Sequence, residues 1–204
     1  MRLTTRRPRP LDRTIPHVRD TRLLIIATEG EVTEKQYFEL FRLRSSRVQV
    51  KVLETGDGKS APKHVVERLR SFRREFELTK HDEMWLVIDT DRWPEQQLSE
   101  VAASATQLNI GLAVSNPCFE LWLLLHHFDP AKIPADANCG NIVDLLREHL
   151  GAYNQTNIQR EPYEPYIPDA IRRAEIMDVA PAERWPNAIG TRVYRLMQVV
   201  ESFN

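Results

Sequence analysis

Four short apolar runs, each followed by a stretch of helical period, constrain the fold of this chain more than any other feature. "RLLIIA" (22–27), "VQVKVLE" (48–54), "MWLVID" (84–89) and "IGLAV" (110–114) read as strands. Between them, "TEKQYFELFRLR" places Tyr37, Leu40, Phe41 and Arg44 on one helical face. Thr33 and Gln36 there have capping-box spacing. After Pro62, Val65, Leu69, Phe72 and Phe76 recur at helical spacing, and after Pro94 so do Leu98, Val101, Ala105 and Leu108. A fourth helix is predicted in "SNPCFELWLLLHHF" (115–128), with Asn116 as cap and Pro117 as first residue. Strands alternating with helices predict an α/β fold, a Rossmann-like parallel sheet covered by helices on both faces through right-handed crossovers.

Beyond residue 128 the pattern weakens. "NIVDLLREHL" (141–150) reads as a helix, residues 151–168 as a proline-interrupted loop, and "AIGTRVYRLMQVVESF" as a C-terminal helix. The expected organisation is therefore a basic arm (1–21), an α/β core (22–128) and a mainly helical extension (129–204) packed on the core.

Charge is unevenly spread. Residues 1–22 hold seven arginines against Asp12 and Asp20, a net +5, which leaves −6 for the rest against an overall −1. A basic arm on an acidic body suits a polyanionic partner. It makes Arg6, Arg7, Arg9 and Arg13 candidate nucleic-acid contacts. The alternative is a solvated tail kept for solubility. No apolar run reaches the roughly 18 residues of a membrane span, so no membrane partner is expected. Without an apolar leader, and with only Cys118 and Cys139 in no metal-ligand spacing, a reducing cytoplasm is the expected compartment. Cys118 reads as a small buried residue.

The acidic residues fall where an open parallel sheet binds ligands, beyond the carboxyl ends of the strands. Strand one ends at Glu29-Gly30, strand three in Asp89-Thr90-Asp91, and strand four leads to Glu120. A strand order of 2-1-3-4 brings these ends side by side at about 4.8 Å per strand. Four carboxylates in one place repel unless a cation joins them, and a hard cation such as Mg²⁺ takes oxygen ligands. Asp89 and Asp91, two apart, point the same way on an extended chain, and Gly30 permits a sharp turn after Glu29. Glu120 has two readings, a pocket ligand or a first-turn helix acid. Glu31 and Glu34 read as helix-entry acids. His127 lies seven residues after Glu120, about 10 Å along a helix, too far to share a cation, so His126 and His127 read as structural.

Two other motifs fail on detail. "LETGDGKS" (53–60) resembles a phosphate-binding P-loop, but Leu53 stands where that loop needs glycine and Ala61-Pro62 disfavours a helix through Lys59. Lys59 remains a candidate phosphate contact on a glycine turn. The haloacid-dehalogenase pattern of two aspartates two apart belongs after a first strand. Here the pair follows the third, with Trp93 where that motif takes Thr or Val.

"LLIIATEGEVTEKQYFELF", "LVIDTD" and "SNPCFELWLLLHHF", in this order, resemble the RloB-like proteins of the Toprim (topoisomerase–primase) group, near the overcoming-lysogenization-defect type of nuclease. The resemblance runs from about Leu23 to Phe128. It implies a Toprim sheet in which Glu29 serves acid–base chemistry or metal binding, Asp89 and Asp91 chelate Mg²⁺ (or Mn²⁺), and Glu120 joins the metal site. It also implies an ABC/AAA-like ATPase encoded nearby, in an anti-phage or restriction-linked locus. The chain lacks the domain that carries a topoisomerase tyrosine, which favours hydrolysis by water over strand passage.

Three functions follow as expectations. The first is a Mg²⁺-dependent nuclease acting on DNA or RNA. The second is a non-catalytic subunit that binds nucleic acid or nucleotide for an ATPase. The third is a small-molecule phosphohydrolase. The basic arm favours a polymer over a small substrate.

Overall fold

The computed structural model describes residues 22–41, 48–53, 61–151 and 153–202. Arg6, Arg7, Arg9, Arg13 and Lys59 lie outside them. Among the described residues, five strands form one sheet in the order β2-β1-β3-β4-β5. The first four are β1 (Arg22–Thr28), β2 (Val48–Leu53), β3 (Glu83–Asp89) and β4 (Gly111–Asn116). They pair in parallel, as the alternating pattern requires. The two-residue β5 (Gly190–Thr191) pairs antiparallel with the end of β4, Ser115 against Thr191.

The apolar alternation of β1 divides the core. Leu24 and Ile26 face one layer, with α1 (Thr33–Glu39), α4 (Glu120–Leu124), α5 (Cys139–Leu150), α6 (Ile167–Met177) and α7 (Val193–Glu201). Leu23, Ile25 and Ala27 face the other, with α2 (Pro62–Glu75) and α3 (Glu95–Gln107). A strand buried on both faces needs apolar residues at every position, hence the unbroken run. Among the described residues no helix is long and apolar enough to cross a membrane.

Four local expectations are corrected. Thr33 and Gln36 do not form a capping box. Val32 is the N-cap, Thr33 Oγ1 donates to Gln155 O (3.1 Å), and the Gln36 amide donates to Thr156 O and accepts from Ile158 N–H (each 2.8 Å). These side chains bind the 153–158 loop because it satisfies them more fully than the helix end would. Asn116 and Pro117 do not start α4. Asn116 ends β4, its Nδ2 donates to Pro186 O (3.0 Å), the Asn116–Pro117 peptide is cis, and α4 begins at Glu120. The C-terminal apolar segment is not one helix, since Gly190–Thr191 pairs with β4 before α7 begins. Within the proline-rich tail, α6 starts at Ile167, with Pro168 in its first turn, where a missing N–H costs nothing.

Candidate acidic site

The ladder between strands places the acids. Glu29 N–H donates to Val87 O (2.9 Å), extending the β1–β3 pairing one residue past Thr28. Thr90 N–H donates to Ser115 O (3.0 Å) and Asp91 N–H to Pro117 O (3.3 Å), so the β3 end follows β4 around its corner. The chain bends at Thr90 and is not extended through Asp91, yet both aspartates line one cavity. That cavity, about 420 Å³, is also lined by Glu29, Glu34 and Glu120. Glu29, Asp89, Asp91 and Glu120, the four acids singled out from the sequence, are thus brought together.

Each is held differently. Glu29 is buried and accepts from Asp89 N–H (Oε2, 3.1 Å) and from the Trp93 indole (Oε1, 2.8 Å). Burial raises its pKa, while those bonds and the charge of Arg92 oppose the rise. Asp89 is pushed well above the usual aspartate range by burial of its carboxyl and by the charges of Glu34, Glu29 and Glu120. Its Oδ1 is buried with no hydrogen-bond partner among the described residues. Asp91 stands exposed at the rim. Glu120, also buried, accepts on Oε1 from Gln155 Nε2 (2.9 Å) and Tyr153 OH (3.4 Å). Burial and the Glu120 charge raise the Tyr153 pKa, keeping that phenol a donor.

Glu34 corrects the reading of it as a helix-entry acid. It is buried, and its Oε1 accepts Gly30 N–H (3.0 Å). Burial, then the charges of Glu120 and Glu29, lift its pKa from 4.5 to about 7. Gly30 serves this contact and not a left-handed turn, for Gly151 is the described glycine with positive φ. A Cβ on Gly30 would lie 1.9 Å from Glu34 Oε2. Thr28 Oγ1 donates to Gly30 O (2.8 Å) and braces the same turn. Exposed Glu31 lines the cavity without being buried in it.

The sequence did not single out Trp93, Tyr153, Gln155 or Glu34 for the site. Glu34 had one legible signal, its place one helical turn after Gly30. The 153–158 loop had none, because its approach depends on long-range contacts with α1. His126 is structural, as read: it is fully buried, with Nδ1 against Trp122 O (3.0 Å) and Nε2 against Tyr37 OH (3.1 Å). Burial lowers its pKa to about 3, so it is neutral. Nδ1 must then carry the proton, and Nε2 accepts from Tyr37. His127 lies against Pro162 O (Nε2, 2.5 Å).

The cysteines were not read as a pair. Cys118, before α4, and Cys139, first residue of α5, form a disulfide with a Cα–Cα distance of 5.7 Å at the wall of the cavity. Cys118 is buried, as expected, and Cys139 is half-buried.

The donor set fits a hard dication. Carboxylates crowded until their pKa values rise, and a buried aspartate oxygen without a partner, are stabilised by a cation with oxygen preference. The nearby positive charge acting on Glu29 and Asp91 is Arg92. Among known proteins, the family model of the RloB-like proteins matches residues 24–200. No curated protein and no solved structure matches. The chain belongs to the RloB-like family.

Proposed function

We propose that this RloB-like chain is a Mg²⁺- or Mn²⁺-dependent nuclease of Toprim type, the effector of an anti-phage or restriction-linked system with an ATPase partner, working in the cytoplasm. The observation that carries this reading is the convergence of Glu29, Glu34, Asp89, Asp91 and Glu120 on one cavity, with Asp89 Oδ1 left unpartnered among the described residues. Asp89, Asp91 and Glu120 would hold the cation. When bound, it supplies Lewis acidity toward a phosphoryl oxygen and offsets the negative charge that develops there.

The chain supplies the rest. Glu29 accepts the proton of the attacking water on a carboxylate oxygen. The Trp93 indole and Asp89 N–H fix its plane, and a base held in one orientation starts close to its reacting geometry. Glu34 is a positioning residue that fixes the Gly30 turn carrying Glu29. Arg92, exposed at the cavity wall, meets a phosphate of the substrate. Arg6, Arg7, Arg9, Arg13 and Lys59 add contacts to the phosphate backbone without reading sequence.

The test is incubation of pure protein with labelled DNA and RNA in Mg²⁺, Mn²⁺ or EDTA, with and without the neighbouring ATPase. Cleavage that needs the metal and disappears in Asp89→Asn supports the nuclease. Binding without cleavage under every condition overturns it in favour of a non-catalytic subunit. Removing residues 1–21 should flatten the log–log salt slope of nucleic-acid affinity by about two to three units, if two to three arginines meet phosphate. An unchanged slope reduces the arm to a solubility tail.

A further inference from the structure

Glu120 has two faces. Its Oε1 is taken by Gln155 and Tyr153, whereas its Oε2 lies 3.8 Å from Cys139 Sγ. A disulfide sulfur carries no proton, so this contact is not a hydrogen bond. The ligand atoms of Cys118, Glu120 and Cys139 all lie within 4.8 Å of one another. The S–S bond itself accounts for part of that closeness, but once reduced, two thiolates beside a carboxylate are a donor set for a thiophilic dication, a different class from the hard cation of the acidic cavity.

We propose that Cys118, Cys139 and Glu120 form a second cation site, for Zn²⁺ or a similar thiophilic dication, which opens when a dithiol reduces the Cys118–Cys139 bond. The half-buried Cys139 is the accessible sulfur. A thiolate of the dithiol attacks Cys139 Sγ, the S–S bond breaks, and Cys118 leaves as a thiolate. The second thiol of the reductant then attacks its own sulfur in the mixed disulfide and releases Cys139. The dithiol ends as a disulfide, and two electrons have passed to the two cysteines. On loading, both sulfurs bind as thiolates and any thiol protons go to solvent.

The geometry permits the exchange. Two thiolates on one tetrahedral Zn²⁺, with Zn–S of about 2.3 Å, sit about 3.8 Å apart. The sulfurs must therefore separate, and with their Cα atoms 5.7 Å apart, side-chain rotation suffices. Glu120 is the third ligand, through the oxygen that Gln155 and Tyr153 leave free, and water completes the set.

The experiment uses the full chain, oxidised or reduced with a phosphine that is then removed by desalting, with free thiols counted. Co²⁺ is the probe, because thiolate ligation gives a charge-transfer band in the near ultraviolet. Reduced wild type should bind one equivalent with that band and lose it to Zn²⁺. Oxidised wild type should show none. Reduced Cys139→Ser should bind Zn²⁺ at least tenfold more weakly, with a diminished band. Reduced Glu120→Gln should keep the band and lose at least tenfold in affinity. Reduced Asp89→Asn should keep the thiolate band, which assigns the band to the two cysteines and not to the hard-cation set with which this site shares Glu120, and makes the result independent of nuclease activity. No band in the reduced wild type, an unchanged affinity in Glu120→Gln, or a collapse of near-ultraviolet circular dichroism on reduction would each overturn the proposal.

Discussion

Asp178 and Glu34 are both buried carboxylates, 8% and 7% exposed, and their surroundings are opposite. Asp178, just after α6, accepts from Arg192 Nε and Nη2, Arg195 Nη2 and Tyr194 OH, each at 3.0 Å. Arg192, itself buried, also donates to Ala180 O (2.8 Å) and to Glu183 O. Burial alone would raise the Asp178 pKa. The bonds from Arg192 and Tyr194 and the charges of Arg192 and Arg195 outweigh it and hold the carboxyl below its ordinary range. Glu34 has only backbone donors, its own N–H and that of Gly30, and burial together with the charges of Glu120 and Glu29 outweighs them, so its pKa rises to about 7. The first cluster meets its carboxylate with two guanidinium groups and ties the start of α7 to the chain that follows α6. The second leaves negative charge unbalanced at the mouth of the sheet, an arrangement that is costly in the free protein and useful once a cation arrives.

The largest expected effect breaks the first cluster. Asp178→Asn leaves the buried Arg192 without its counter-charge and should cost about 3–5 kcal/mol of stability. Chemical denaturation checks this, and a loss below about 1 kcal/mol would mean that the cluster is no more than a surface pair.

The two clusters should also respond to pH with opposite sign. The Asp178 pKa is depressed by folding, so its contribution is present above its unfolded value and lost as pH falls. The Glu34 pKa is raised, so its contribution is full below about 4.5 and lost as pH rises through about 7. In chelator, stability should therefore fall by up to about 3 kcal/mol between pH 5 and 8. Glu34→Gln should flatten that slope, and saturating Mg²⁺ should offset it. A slope that survives Glu34→Gln unchanged assigns the loss to other groups.

Asp89→Asn should behave unlike Asp178→Asn. It removes repulsion, so the melting temperature without metal should hold or rise. The metal-induced shift should vanish and cleavage fall at least a hundredfold, about 2.7 kcal/mol in the transition state. A fall in metal-free stability like that of Asp178→Asn would erase the distinction between the clusters.

The smallest effect belongs to Glu120→Gln. It keeps shape and should weaken Mg²⁺ binding and cut activity at least tenfold, about 1.4 kcal/mol. Retention of the full metal-induced shift would make Glu120 a partner of Gln155 and Tyr153 only, outside the hard-cation set.

The order of the four parallel strands and the meeting of Glu29, Asp89, Asp91 and Glu120 were legible in the sequence. Both depend on local periodicity and on the rule that open sheets gather ligands at strand ends. An apolar run buried on both faces has one way to lie, and its last residue then marks the site. What the tertiary structure alone decided involves partners far apart in sequence. Gln155 reaches Glu120 across 35 residues, and Trp93 reaches Glu29 across 64. Cys118 meets Cys139 across 21, and β5 meets β4 across more than 70. Thr33 and Gln36 fit a capping box by local pattern, and the 153–158 loop took them instead. A polar side chain follows the donors and acceptors that the assembled fold presents, and these do not exist until distant segments have closed on one another.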